Sequence, residues 1–280
     1  MNRAKTWTGM LALVCATLSP QFSSAHKIVT SDSENPSVAE KSVVVLQAAD
    51  PVPFNAVKLN TVDLGASKSA SSYRELLADA KLLAMKSDAN IVKVMESKTR
   101  TGSDLKVTFY KAENPRAYEK EFGWTSSRKL VWDDFRGPVQ HSMGHDVAAA
   151  TFCGIGFETN TISAANPELK VVVYNTFYPT KSFVKTGLEK PEILAHEQCH
   201  FDICELYTRK LRAKMSKVKV SVETMKTTLR SLYKEVQQEY IQRQEMYEEE
   251  TEHGIIGNEQ ARWEVMIAKE LAATDNWKSQ

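Results

Sequence analysis

The sequence predicts an α+β protein, in which a small N-terminal α/β module precedes a larger domain with long helices. Between residues 42 and 113, short strand-like segments surround one segment of helical period. Beyond residue 118 the pattern changes, because a strong strand at residues 170–177 is followed by two long helical stretches. Asn114-Pro115 lies between the two patterns and favours a break in regular structure. We therefore predict domains at residues 42–113 and 118–275.

The individual elements follow from side-chain period and from residues that start or stop helices. Pro191 suits the first turn of a helix, Gly254 suits the end of one, and Asn258 is placed to cap the last helix. Residues 57–64 alternate in polarity, which predicts a half-buried strand. The predicted strands are residues 42–48, 57–64, 91–95, 105–110, 129–132, 148–157 and 170–177, and the predicted helices are 73–85, 191–215, 222–252 and 258–271.

The start of the chain predicts a secretory signal peptide at residues 1–25. Two cationic residues precede an apolar run from Trp7 to Leu18, and small residues at 23–25 suit cleavage. The apolar run is too short for a stable membrane span, and no other segment approaches that length. Residues 26–41 are polar and predict a flexible leader. We expect the mature chain to be exported, to the periplasm or the extracellular space.

Composition excludes some classes of partner. The chain is 42% hydrophobic and 25% charged, which is typical of a folded globular protein. Its formal net charge is +1, so no long-range field attracts nucleic acid or an anionic membrane.

Three cysteines lie beyond the predicted signal peptide, namely Cys153, Cys199 and Cys204. An exported chain can form a disulfide and leave one thiol over. Cys199 and Cys204 point about 140° apart on a helix, so a bridge would use Cys153. The alternative is that all three are buried as small apolar residues.

The residues that point to chemistry are His196-Glu197-Gln198-Cys199-His200, inside a predicted helix. Four residues advance the helix so that the two imidazoles differ by only about 40° and can reach one ion. Neutral imidazoles suit zinc, and Glu197 is placed to act as general base and acid on a water molecule. The alternative is two surface histidines beside a glutamate.

A zinc site needs a third protein ligand, and the same helix does not supply one. Asp202 and Glu205 face away from the imidazole pair on an ideal helix. They are expected either to orient the ligands or to pair with Arg209 and Arg212. The third ligand is therefore expected from a distant part of the chain.

Residues 247–254 are the candidate source, because acids and a histidine cluster at the end of the second long helix. Packed antiparallel, that end would return to the first helix. His253 is the first choice, since imidazole suits zinc, and Glu249 and Glu250 are the carboxylate alternatives. The other interpretation of this run is a solvated acidic helix face.

For three further residues, the sequence leaves two roles open. His141 and His145 flank a loop and either line the cleft or are simply exposed. Tyr247 is either a hydrogen-bond donor to a tetrahedral intermediate or a partly buried helix residue.

Residues 125–272 resemble a bacterial family of predicted secreted zinc-dependent peptidases. The likeness lies in residues 130–137, 181–184, 195–205 and 247–254, followed by Gln260 and Trp263. It implies a zincin-like fold, zinc on His196 and His200, Glu197 as the catalytic acid and base, and a role for the segment that ends in His253-Gly254. Two positions depart from the family pattern, which usually has aspartate where this chain has Glu248 and tryptophan where it has Phe183.

The sequence thus predicts a zinc-dependent peptidase that acts on a peptide or protein substrate. The strand at residues 170–177 is expected to hold an extended peptide by main-chain pairing. The alternative is a non-catalytic protein of the cell envelope that binds a peptide or a partner on a zincin-like fold.

Overall fold

The computed structural model describes residues 25–26, 28–29, 43–64, 73–97, 105–143, 147–159, 169–218 and 220–278. Nearly all of the predicted signal peptide, most of the predicted leader and His145 lie outside these residues. The described strands are β1 (Ala25–His26), β2 (Ile28–Val29), β3 (Val44–Leu46), β4 (Val57–Leu64), β5 (Ile91–Ser97), β6 (Leu105–Lys111), β7 (Ala149–Ala150), β8 (Cys153–Thr159), β9 (Leu169–Phe177), β10 (Phe183–Val184) and β11 (Val220–Ser221). The described α-helices are α1 (Tyr73–Lys86), α2 (Pro191–Ser216), α3 (Val222–Thr251) and α4 (Gly257–Ala273). The predicted α+β class is confirmed.

The N-terminal part is a four-stranded sheet in the order β3-β5-β6-β4 with α1 packed on it. Leu76, Ala80 and Ala84 recur at helical spacing and form the buried face of α1. Strand β4 forms the outer edge and is mostly exposed, so its predicted half-burial is wrong, although the strand itself is confirmed. An edge strand with one neighbour buries less surface than a central strand does.

The larger core lies between a second sheet and the long helices. Strand β9 lies between β2 and β8, and α2 packs across both β8 and β9. Aromatic rings fill this layer, with Phe177 and Phe201 fully buried and their centroids 5.4 Å apart. Helices α3 and α4 cover the other side of α2, which explains why α2 is buried on several faces.

Strand β9 is flanked by β8 and, at one end, by β2, and the expected pairing of residues 170–177 with an extended peptide stays a prediction. Strand β9 pairs with β8 from Val171 to Phe177. On its other side, β2 pairs with it at one end, and Phe122 exchanges backbone hydrogen bonds with Phe177 at the other. On the side away from β8, the described backbone pairing thus covers the two ends of β9.

The strand predicted at residues 129–132 is wrong. The Leu130 amide donates to Gln198 Oε1 at 2.8 Å, and the Val131 amide donates to Asp134 Oδ2 at 3.1 Å. Side chains thus take the backbone donors that a neighbouring strand would have used, and a short 3-10 turn follows at Trp132–Asp134.

The strand predicted at residues 148–157 is interrupted for a similar reason. The Phe152 amide donates to the Ser182 hydroxyl at 2.9 Å, which separates β7 from β8. The Thr151 hydroxyl meanwhile donates to the carbonyl of Glu197 at 3.2 Å and ties this break to α2.

The last helix begins at Gly257 with Ile256 before it, and no side chain caps it. Asn258 is therefore inside the helix, and its predicted capping role is wrong. Among the described residues, no helix combines the length and apolar character that a bilayer span requires.

Candidate metal centre

Helix α2 presents His196 and His200 on one face, as their spacing predicts. Their Nε2 atoms are 3.1 Å apart, and the two ring centroids are 4.7 Å apart. The side chains of His196 and His200 are only 7% and 14% exposed. The interpretation as two surface histidines is therefore wrong.

Helix α3 packs antiparallel to α2 and brings Glu248 to the imidazole pair. Glu248 Oε1 is 3.1 Å from His200 Nε2, and Glu248 Oε2 is 3.5 Å from His196 Nε2. The antiparallel direction is clear from contacts between His200 and Gln244 and between Lys214 and Glu235. Among the described residues, His196, His200 and Glu248 form a group that could hold a metal ion, with ligand atoms within 4.8 Å of one another.

Two glutamines orient the imidazoles. His196 Nδ1 donates to Gln260 Oε1 at 3.1 Å, and His200 Nδ1 donates to Gln244 Oε1 at 2.7 Å. Each Nε2 then turns its lone pair toward the centre of the cluster. Two lone pairs 3.1 Å apart repel each other unless a proton or a metal ion lies between them. The donor set therefore fits a cation.

The orientation of each glutamine amide is itself determined by hydrogen bonds. Gln244 Nε2 donates to the carbonyl of His200 at 3.0 Å. Gln260 Nε2 donates to Glu264 Oε1 at 2.8 Å, while Gln260 Oε1 also accepts from the Tyr247 hydroxyl at 2.7 Å. Both amide oxygens consequently face the rings, and the imidazole tautomers follow from this network.

Tyr247 packs beneath the pair. Its ring stacks on His196 with centroids 4.8 Å apart and meets the edge of His200 at 4.9 Å. The side chain is fully buried, and burial raises the pKa of its hydroxyl. The hydroxyl donates to Gln260, so the structure places Tyr247 as a buried residue that supports the imidazoles and not as a donor to a substrate.

Without a metal ion, a charged pair holds the cluster together. Burial opposes the charged form of His200, but the nearby carboxylate of Glu248 outweighs it and raises the pKa of His200 to about 9. Burial likewise opposes ionisation of Glu248, but the two imidazoles hold the pKa of Glu248 far below its ordinary value. A proton on His200 thus occupies the place that a metal ion would take.

Glu197 is 3% exposed and adjoins the first imidazole in the chain. Within the part of the chain that the structure describes, its buried Oε2 atom has no hydrogen-bond partner. An unpartnered buried carboxylate oxygen costs free energy. A water molecule or a substrate group would satisfy this atom.

The expected third ligands lie elsewhere. Glu249 is exposed, and Glu250 accepts a hydrogen bond from Trp263 Nε1 at 2.8 Å. His253 is 75% exposed, and its Nδ1 donates to Glu248 Oε2 at 2.8 Å. Glu248 shares a helix face with Gln244, whereas Glu249 and Glu250 are rotated from it by about 100° and about 200°. The geometry therefore favours Glu248 as third ligand and places His253 behind it.

The acids that follow the motif on α2 serve the packing of the helix. Glu205 is fully buried and pairs with Arg209 at 2.8 Å and with Arg212 at 3.6 Å. Asp202 accepts a hydrogen bond from Trp124 Nε1 at 2.5 Å. Neither acid belongs to the cluster.

His141 lies in an exposed 3-10 turn. Cys153, Cys199 and Cys204 are free thiols, of which Cys199 and Cys204 are buried. Burial raises the pKa of Cys199 to about 12. The interpretation of the cysteines as small apolar residues fits the two buried ones.

The sequence analysis did not predict a role for three residues of the site. These are the candidate ligand Glu248 and the two glutamines that orient the imidazoles, Gln244 and Gln260. Gln244 and Glu248 are four residues apart, so a helical projection of α3 places them on one face with Tyr247 beside them. The family resemblance also included positions 248 and 260, but as pattern and without a role. That projection, and the aspartate that the family pattern usually has at position 248, are the signals that separate Glu248 from its acidic neighbours.

Residues 190–254 match a bacterial protein family of unknown function, DUF922. The matched span runs from the start of α2 through the turn after α3, so it contains His196, Glu197, His200 and Glu248. No curated protein and no solved structure matches the chain. The description of the family states no activity, and the chemistry of the site has to be argued from its own residues.

Proposed function

We propose that the protein is a zinc-dependent hydrolase of zincin-like fold that cleaves peptide bonds, with Glu197 as general base and acid. The observation that carries the proposal is the cluster of His196, His200 and Glu248, together with the buried, unpartnered carboxylate oxygen of Glu197, the residue that follows His196 in the chain. Catalytic zinc sites use three protein ligands and one open position, whereas structural sites use four protein ligands.

The ligand spacing supports zinc. Ligands about 2.0–2.2 Å from a tetrahedral zinc ion lie about 3.3–3.6 Å from one another. The two Nε2 atoms are 3.1 Å apart, Glu248 Oε1 is 3.1 Å from His200 Nε2, and one ligand atom from each of the three residues lies within 4.8 Å of the others. When bound, the ion supplies Lewis acidity, which polarises a carbonyl group and makes a neighbouring water molecule more acidic.

Residues of the chain would bind the ion, orient its ligands and transfer the proton. His196, His200 and Glu248 would hold the ion, while Gln244 and Gln260 keep the imidazole nitrogens aimed at it. Glu197 would take a proton from the attacking water through its free oxygen and return that proton to the leaving amine. Support for a peptide substrate comes from the motif and from the family resemblance, and the predicted signal peptide supports an exported location.

The test compares Glu197→Gln with Glu192→Gln in the zinc-loaded protein. Glu192 is exposed in the first turn of α2, so it provides the same chemical change away from the site. We expect Glu197→Gln to keep one zinc ion and to lose peptide hydrolysis by roughly 100-fold or more, and Glu192→Gln to match the parent.

Metal content and turnover of a mixed peptide library are the two measurements. Retained turnover in Glu197→Gln would contradict the role of this residue. A parent that binds zinc but cleaves nothing would favour the non-catalytic binding protein instead.

A further inference from the structure

The turn that follows α3 has an unusual backbone. Glu252, His253 and Gly254 are consecutive, and their φ values are +47°, +59° and +82°. Residues that carry a side chain rarely adopt this left-handed backbone conformation, whereas glycine adopts it without steric cost. Left-handed residues other than glycine persist where the surrounding structure enforces them, often at functional sites.

Contacts on both sides enforce this turn. Thr251 is fully buried, and its hydroxyl donates to the Tyr247 carbonyl at 2.7 Å and accepts from the Gly254 amide at 3.1 Å. The Ile256 amide then donates to the Thr251 carbonyl at 2.9 Å. A Cβ atom on Gly254 would lie 3.0 Å from the ring of His196, so only glycine lets the turn approach the imidazole.

The same turn attaches His253 to Glu248 twice. The amide of His253 donates to the Glu248 carbonyl at 2.9 Å, and its ring Nδ1 donates to Glu248 Oε2 at 2.8 Å. Oε1 of the same carboxylate remains 3.1 Å from His200 Nε2. The left-handed conformation of His253 is thus what brings the ring back over the preceding helix.

We propose that His253 is a positioning residue that holds the Glu248 carboxylate in the orientation needed to bind the metal ion. This inference rests on the proposed metal site. By engaging Oε2, which also lies 3.5 Å from His196 Nε2, His253 leaves Oε1 directed toward His200 and limits rotation of the carboxylate. Glu248 otherwise ends a flexible side chain that is 34% exposed, and its orientation would cost entropy on metal binding.

Three variants distinguish the effect of the His253 ring from the effect of the backbone conformation. His253→Gly keeps the left-handed conformation and removes the donor. His253→Asn tolerates the same conformation and offers an amide N–H near the place of Nδ1. Glu252→Gly is the matched control, because it changes the neighbouring left-handed residue, which is exposed and does not bond to the Glu248 side chain.

Two properties are measured. One is the affinity for zinc, by competition with a chromophoric chelator, and the other is the absorption spectrum of bound Co²⁺. Thermal unfolding of the metal-free variants checks that each one folds. We expect His253→Gly to weaken zinc binding by about 10–100-fold and to alter the cobalt spectrum. We expect His253→Asn to recover most of the affinity and Glu252→Gly to resemble the parent.

Two outcomes overturn the inference alone. One is a His253→Gly variant with the affinity and the cobalt spectrum of the parent. The other is a His253→Asn variant as weak as His253→Gly, combined with a Glu248→Gln variant that keeps its metal, because His253 would then be the ligand itself. A parent that binds neither zinc nor cobalt overturns both the proposed function and the inference. A zinc-loaded parent that cleaves no peptide contradicts the proposed function and leaves the positioning role supported by the binding data.

Discussion

At the scale of single residues, the candidate metal site depends on side chains that are not themselves candidate ligands. Gln260 accepts hydrogen bonds from both His196 and Tyr247, and Gly254 allows the turn after α3 to lie against His196. Such supporting contacts determine where the ligand atoms point before a metal ion arrives. Removing one of them should therefore affect metal binding as well as stability.

Gln260→Ala removes one acceptor from two buried donors. We expect it to lower the free energy of unfolding of the metal-free protein by about 1–3 kcal/mol, because His196 Nδ1 loses its acceptor and the Tyr247 hydroxyl keeps only its longer hydrogen bond to the His196 carbonyl. Zinc affinity should fall by roughly 10–100-fold. Urea unfolding and zinc titration measure the two effects. Gln242→Ala, at an exposed position of α3, is the control, and equal effects of the two substitutions would contradict the role of Gln260.

Gly254→Ala combines backbone strain with a steric contact, and Gly187→Ala separates the two. Both glycines have positive φ, +82° and +84°, but no atom lies within 4 Å of a Cβ built on Gly187. We expect each substitution to cost roughly 1–2 kcal/mol of stability from the backbone. Only Gly254→Ala should also weaken zinc binding, because its Cβ meets the ring of His196. Unchanged zinc affinity in Gly254→Ala would show that the ring can move aside.

At the scale of elements, two antiparallel helices share the site, since α2 supplies the imidazoles and α3 supplies the carboxylate. The pair of His200 and Glu248 is therefore also a link between helices. In the metal-free protein this link is an ion pair, and its strength depends on pH.

The pH dependence of the metal-free protein follows from the signs of the two shifts. The pKa of His200 rises from 6.5 to about 9, so its contribution is complete below pH 6.5 and is lost as pH rises through about 9. The pKa of Glu248 falls below 4.5, so its contribution is complete above pH 4.5 and is lost at more acidic pH. We expect the stability difference between the parent and Glu248→Gln to be largest between pH 4.5 and 6.5.

Chemical unfolding at several pH values, with a chelator present, measures this difference. It should shrink as pH rises toward 9 and beyond. A difference that stays constant from pH 5 to 10 would mean that the two residues are not ionised as a pair.

At the scale of the whole molecule, the candidate metal centre adjoins the largest hydrophobic cluster of the described residues, which includes Cys199 and Tyr247. The N-terminal sheet and α1 have their own hydrophobic clusters, and Arg74 of α1 contacts two residues of the second sheet. The Arg74 amide donates to Glu158 at 3.0 Å, and its guanidinium lies 3.3 Å from the centre of the Tyr174 ring. Metal binding should therefore act first on the part of the molecule that contains α2 and α3.

Zinc should stabilise the folded chain by mass action. At a free zinc concentration 100 times the Kd, the gain is about 2.7 kcal/mol, provided that zinc binds the unfolded chain weakly. For a chain of this size, this corresponds to a rise in Tm of roughly 5–10 °C. Scanning calorimetry with and without a chelator measures the shift. His200→Asn should abolish it, and a shift that persists in this variant would point to zinc bound elsewhere.

The sequence by itself determined the local features, because these depend on residues close together in the chain. Helical period located all four α-helices within a few residues, and a spacing of four residues placed His196 and His200 on one face. Alternation and apolar runs located most strands. The prediction of a strand at residues 129–132 was wrong, because the side chain of Gln198, far along the chain, accepts a hydrogen bond from a backbone amide of that segment.

Only the tertiary structure decided which acid of the run after Tyr247 meets the imidazoles. That choice depends on which face of α3 is turned toward α2. The packing of both helices with the sheet and with α4 determines this face. The same packing brings Gln244 and Gln260 to the ring nitrogens and folds the left-handed turn over His196. Such contacts join residues about 50 positions apart, and no local pattern encodes the distance between them.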